Sequence, residues 1–311
     1  MDQNNVVIEN IWKKKVLLEN GDPQQKTIRP LLLILGGGNL GVYSAGACYA
    51  LQMLGLGNVF DTVIGISTGA WVSAYYLAGK EQIKIGTSIY YKDFASSEYI
   101  SLKTFPRPMN ASIIENVTYC GHKKLNIEAV QTSPSNFFVG VTDMNGVGHF
   151  LDAKKATPSF LSAMYASSAI PLAYKSPKRV NGSLYLDGGI GLAFPIQKVI
   201  AEFLPTDVLV LPNCPQDQKH AITFYERVLV KFFFAHLPKA VRAKMLLRHE
   251  DFCAGVEFSK NTLNNVHIHW SPDMGIHALS RDSQKLRKAA RSSTSQTLLV
   301  FSKPNLGFEL Y

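Results

Sequence analysis

From residue 30 onward the chain alternates short, almost wholly apolar runs with longer stretches whose apolar positions recur at helical spacing. LLLIL (31–35) runs into a helix expected over about 41–55, and FDTVIGI (60–66) into one over about 68–78. NFFVGVTD (136–143) and GHFLDA (148–153) flank MNGVG as the arms of a hairpin. SFLSAMYAS (159–167) and PIQKVIAEF (195–203) have helical spacing, while SLYL (183–186) and DVLVLPN (207–213) read as strands. Strands that are apolar throughout, rather than alternating, belong to sheets covered on both faces. The pattern therefore predicts an α/β fold with a mostly parallel sheet between helices.

Outside this stretch the pattern changes. Residues 1–29 read as a polar N-terminal arm ending in the turn-rich GDPQQKTIRP. Beyond Pro215, ITFYERVLVKFFFAHLPKAVRAKMLLRH (222–249) predicts one long helix, or two broken at Pro238, and residues 281–301 predict another. NNVHIHWSP between them reads as an edge strand. The expected division is an arm (1–29), a core (30–215) and a basic helical extension packed on the core (216–311).

Composition narrows the partners. With 46% hydrophobic and 18% charged residues the chain is globular, and its net charge of +9 calls for an anionic partner. Lys219 to His249 holds seven Lys or Arg and a single Glu, interleaved with Phe232, Phe233, Phe234, Leu237, Met245 and Leu246. A cationic helix with an aromatic face suits an anionic membrane surface better than nucleic acid, and a core-packed helix with a solvated basic face fits the same residues. The N-terminus shows no secretion signal, and no apolar run nears the roughly 18 residues of a membrane span. Cys48, Cys120, Cys214 and Cys253 are widely spaced and read as buried free thiols in a reducing compartment. The expected setting is cytoplasmic, with peripheral membrane association. His267 and His269 alternate without an acidic companion, so no metal is expected.

Gly36-x-Gly38-x-x-Gly41, after the first apolar strand, fits two chemistries. It is the spacing of a dinucleotide-binding turn, and equally a row of backbone N–H groups able to hold an oxyanion. The next strand decides between them. A dinucleotide site wants an acid at that strand's C-terminal end, where Gly65-Ile66-Ser67-Thr68-Gly69 stands instead. G-x-S-x-G between strand and helix is a nucleophile elbow. Asp187, at the end of SLYLD and followed by Gly188 and Gly189, lies on the same rim of a parallel sheet.

GGGNLG, GISTG and LDGG, in that order and with SAMYASSAIPLAY (162–174) between the last two, resemble the patatin-like phospholipases over about residues 30–215. The resemblance implies a three-layer α/β/α fold and a lipid acyl hydrolase working without metal or cofactor. It implies Ser67 as nucleophile, Asp187 as its base, and backbone N–H groups of Gly36, Gly37, Gly38 and Asn39 as the oxyanion hole. The lipid or phospholipid substrate would be covered and its acyl chain selected by residues 92–117. Two positions depart from the family: Leu40 stands where Arg or Lys is usual, and Leu192-Ala193 where two asparagines often precede the proline. A Ser-His-Asp esterase using one of His267, His269 or His277, and a catalytically silent lipid-binding module, are the alternatives.

Overall fold

The computed structural model describes residues 3–302 apart from 106, 219–223 and 263–264, so the start of the helix expected from residue 222 lies outside the described residues. Where the pattern suggests a polar arm, Gln3–Glu19 forms a helix, α1. Val7, Ile8, Ile11 and Trp12 make a buried stripe along it, and Trp12 Nε1 donates to the Phe301 carbonyl at 3.1 Å. Each such side chain contributes about 1.5–3 kcal/mol on burial, which outweighs the weak tendency of a short helix to form alone. Lys14, 1% exposed, donates through Nζ to the carbonyls of Gln25 and Ile28 and pairs with Asp61 at 3.0 Å. Every direction open to that buried charge thus meets an acceptor.

The remaining elements include the predicted strands and helices and add helices over 80–92, 111–115, 127–132 and 188–191 and a strand over 178–180 that the pattern does not predict. They are β1 (Pro30–Ile34), α2 (Gly41–Met53), β2 (Thr62–Ile66), α3 (Thr68–Leu77), α4 (Lys80–Lys92), two short turns of helix α5 (Ala111–Glu115) and α6 (Ile127–Thr132), then β3 (Asn136–Asp143) and β4 (Gly148–Asp152). Next come α7 (Phe160–Ser167), β5 (Lys178–Val180), β6 (Ser183–Asp187), α8 (Gly188–Gly191), α9 (Ile196–Phe203) and β7 (Asp207–Leu211). The chain continues with α10 (Phe224–Val228), α11 (Lys239–Asn261), β8 (Asn265–Ile268) and α12 (Ser283–Phe301). Helix α11 starts immediately after Pro238, which cannot donate to a preceding turn.

Among the described residues eight strands form one sheet. β3, β2, β1, β7 and β8 run parallel in that order; β4, β5 and β6 are antiparallel to their neighbours. Every residue of β1 and β7 is buried, as expected for central strands covered on both faces. Leu32 and Ile34 pack into a core shared with α2, α3 and α12, while Leu31 and Leu33 enter a second core shared with α9 and α11. The mostly parallel sheet between two helical layers is the expected α/β/α architecture. Strand β8 extends the sheet beyond β7, and α12 lies along α2, where a Cβ on Gly46 would meet the Ala290 carbonyl.

The edges of β3 position the site. β4 takes one edge, from Phe138 to Thr142. The other edge is divided: β2 runs beside it up to the Ile66↔Gly140 pair, and β6 runs beside it from Val141↔Asp187 onward. The residue after Ile66 and the last residue of β6 therefore come together above consecutive residues of β3.

Candidate active site

Ser67 is the single residue between β2 and α3, with φ 56° and ψ −125°. A non-glycine residue holds such a conformation only where its surroundings over-determine it. They do so here through the Ala-Ser-Ser block. Ser67 N–H donates to Ser167 Oγ at 3.0 Å, and Ser167 Oγ donates to the Gly140 carbonyl at 2.7 Å. Ser168 Oγ lies 3.4 Å from the Ser67 carbonyl and accepts from Trp71 Nε1 at 2.9 Å. Ser167 thus braces the elbow through its backbone N–H, while Ser168 anchors Trp71 of α3 beside it. The sequence marked that block only as a family trait. Gly69 completes the turn, since a Cβ there would overlap the Ile34 carbonyl oxygen of β1.

Asp187 ends β6 and is 2% exposed. Its Oδ1 accepts from Gly189 N–H at 2.7 Å, and its Oδ2 accepts from Ser67 Oγ at 2.6 Å. The two residues chosen from sequence therefore touch across 120 positions of chain. Burial pushes the Asp187 carboxyl up to about 6, against the lowering effects of the Ser67 hydroxyl, the Gly189 N–H and the Arg248 charge. A carboxylate with that affinity for a proton is a better base near neutral pH than an exposed one.

The glycine loop follows β1. Gly38 has φ 58°, and a Cβ on it would press on the Ala278 carbonyl oxygen at 2.8 Å. Gly36, Gly37 and Gly38 line the same cavity as Ser67 and Asp187, and among the described residues their N–H groups donate to no protein acceptor. Asn39 is different. Its N–H donates to the Ala278 carbonyl at 2.9 Å and its Nδ2 to the Ser280 carbonyl at 2.8 Å. Expected among the oxyanion donors, Asn39 is buried and ties the loop to the segment before α12. That segment lies over 230 residues away, so no local signal announces the tie.

A cavity of about 750 Å³ opens over Ser67 and Asp187. Trp71, Val72 and Tyr75 of α3 and Ile89 and Tyr90 of α4 form one side. Residues 92–117 supply Phe94, Tyr99, Phe105, Met109 and Ile114. The far wall comes from beyond residue 224, with Leu229, Val230, Phe234, Met245 and Arg248. Sequence patterning had not placed these last residues at the site. Leu40 lies in the wall, so the glycine loop brings no cation to it.

The histidines take other places. His267 on β8 and His269 just after it sit against Phe301; His269 Nε2 contacts Thr297 Oγ1 at 2.8 Å, and burial, helped by His267, pulls its pKa down to about 3. His277 lines the cavity, with its Nδ1 accepting from Leu279 N–H at 3.2 Å. The Ser67 hydroxyl points to a carboxylate rather than an imidazole. Cys48 and Cys214 are buried thiols as expected, but Cys120 and Cys253 are exposed, each on the outer face of a helical turn. Among the described residues no cluster of His, Cys, Asp or Glu could hold a metal ion, and no helix is long and apolar enough to cross a membrane.

A family model described as patatin-like phospholipase matches residues 32–200. The uncharacterized protein YjjU of Escherichia coli (strain K12) is 24% identical over 208 residues, which is 64% of this chain and 56% of that protein. The chain thus spans a little over half the length of this curated relative. The crystal structure of VipD from Legionella pneumophila superposes with a TM-score of 0.42 at 13% identity, covering 88% of this chain and 66% of that one.

Proposed function

The chain belongs to the patatin-like phospholipase family, and from that premise we propose a serine acyl hydrolase that cleaves carboxylic esters of lipids through Ser67 and Asp187. The observation that carries this reading is the 2.6 Å hydrogen bond from a hydroxyl on a strained elbow to a buried carboxylate, set in a largely apolar cavity. Ser67 Oγ attacks the acyl carbon while its proton passes to Asp187 Oδ2. Negative charge gathers on the carbonyl oxygen, where the N–H groups of Gly37 and Gly38 receive it; such donors are worth about 3 kcal/mol each. The ester C–O bond breaks as the leaving alkoxide takes the proton from Asp187. Water, deprotonated by Asp187, then releases the fatty acid and restores Ser67. Because the base must be ionised, hydrolysis should fade as pH falls through about 6.

Residues 92–117 select the acyl chain in this reading, since they form one cavity wall. The membrane contact lies beside them. Phe105 meets Phe233 edge-on at 4.8 Å between ring centres, and Phe232 and Phe224 are 64% and 82% exposed with Lys231 among them. Exposed rings with a cation among them, reaching the cavity wall through Phe105, suit docking to an anionic lipid surface, which delivers a substrate scarce in water.

The test is labelling by a fluorophosphonate probe, with and without anionic liposomes. Wild type should label, and Ser67→Ala should not. Histidine substitutions should leave labelling intact if Asp187 is the base. Folded wild type that never labels would sink the enzyme reading and favour a lipid-binding module.

A further inference from the structure

Among the described residues lining the cavity, Arg248 of α11 is the one arginine or lysine. A charged group is costly beside so many apolar side chains unless it has a partner. Its internal partner is Glu226 of α10, with Arg248 Nη2 2.5 Å from Glu226 Oε1 and His249 Nε2 3.5 Å from the same oxygen. Glu226 lines the cavity as well. The contact engages one N–H of a guanidinium that carries five, in a planar fork suited to phosphate oxygens. Two further facts point inward. Asp187 responds to the charge on Arg248, which puts that charge within electrostatic reach of the reacting groups. The glycine loop carries Leu40, so no cation comes from that side.

We propose that Arg248 is an anion-binding site within the catalytic cavity, holding the phosphate oxyanion of a lipid headgroup while the acyl ester lies at Ser67, with Glu226 as the internal anion that the phosphate displaces. This rests on the acyl-hydrolase reading above. The cation that the glycine loop lacks is thus supplied from a helix about 200 residues away in sequence.

The experiment compares dioctanoyl phosphatidylglycerol with dioctanoylglycerol, both in micelles of an uncharged detergent, using the full chain. At pH 8, where Asp187 is ionised with or without the neighbouring charge, Arg248→Ala should raise KM for the phosphatidyl lipid and lower its kcat/KM roughly 10- to 100-fold, a loss several times larger than any on the neutral lipid. Arg248→Lys should recover part of the loss, because it keeps the charge and loses the fork. Glu226→Gln should act in the opposite direction and lower KM for the phosphatidyl lipid. Millimolar inorganic phosphate should inhibit wild type competitively and Arg248→Ala far less. Equal losses on both lipids, or losses in the same direction for Glu226→Gln and Arg248→Ala, would mean that the ion pair only holds α10 to α11 and would overturn the proposal. Inhibition by phosphate without discrimination between the lipids would assign the site to free phosphate and overturn the headgroup assignment. Should Arg248→Ala fail to fold, Arg248→Gln carries the same comparison. If wild type cleaves neither lipid and resists the fluorophosphonate, the hydrolase reading fails; a phosphate-dependent rise in wild-type melting temperature, absent in Arg248→Gln, would still support the anion site.

Discussion

The two sides of the cavity are built differently. Around Ser67 and Asp187 the polar contacts run to backbone groups or to hydroxyls themselves anchored on backbone, and the supporting residues Ser167, Thr142 and Asn39 are buried. The opposite wall is made of one side of α11 and of short turns, two of them with π-type hydrogen bonding at Asn116–Cys120 and Leu229–Phe233. It presents exposed rings and an ion pair. Such irregular turns recur at functional sites because they aim side chains that a regular helix would not. The contrast teaches a division of labour. In the proposed hydrolase, backbone geometry fixes what bond is attacked, and side chains of the opposite wall decide which molecule presents it.

Substitutions on the two sides should therefore fail in different ways. The largest effect belongs to Asp187→Asn, which should cut hydrolysis of any ester, soluble or micellar, by about a thousandfold or more. The same change should stabilise the fold. Because the folded-state pKa is raised from 3.8 to about 6, the wild type carries a costly buried charge above pH 6 and sheds that cost as pH falls toward 4. Thermal unfolding at pH 8 should show a gain of up to about 3 kcal/mol that disappears near pH 4. An unchanged or lower melting temperature at pH 8 would show that the carboxylate is better solvated than its burial implies.

Ser167→Ala comes next. It leaves Ser67 N–H without its acceptor, at a cost of about 1–3 kcal/mol in stability, and should slow all esters alike. Selective loss on long-chain esters would instead place Ser167 with the substrate wall and blur the division. The smallest effect is expected for Phe232→Ser combined with Phe233→Ser. Vesicle binding should weaken by about tenfold or more, given the apolar area each ring can bury, while a short soluble ester is cleaved as before. Sedimentation with anionic vesicles and a soluble-ester assay read the two quantities separately. A loss on the soluble ester would mean that these rings support the reacting groups as well.

How much of this was legible follows from the distance over which each feature is encoded. Ser67, Asp187 and the glycine loop sit in short motifs next to strands, so chain-local patterns reveal them. The central parallel strands β1 and β7 show themselves because burial on both faces leaves them almost wholly apolar. Helix α1 was missed although Val7, Ile8, Ile11 and Trp12 have helical spacing, because the polar runs around them dilute the stripe. The tie of Asn39 to residues 278–280, the bracing by Ser167 and the arrival of Arg248 at the cavity are products of tertiary packing. Nothing in the neighbouring residues of any of them signals it. The same distance explains why Asn39 read as an oxyanion donor when its N–H is already engaged.

The divided edge of β3 turns counting into chemistry. Ser67 and Asp187 meet because β2 hands over to β6 between Gly140 and Val141, two residues with no reactive group of their own. One residue added or removed there would slide the partners past one another and reverse which side of the sheet each following side chain faces. Both signature motifs would survive such a change letter for letter, yet the serine and the aspartate would no longer be neighbours. Strand β3 is in this sense the ruler of the site, and descendants of this chain can fall silent through a miscount far from any residue that a motif search inspects.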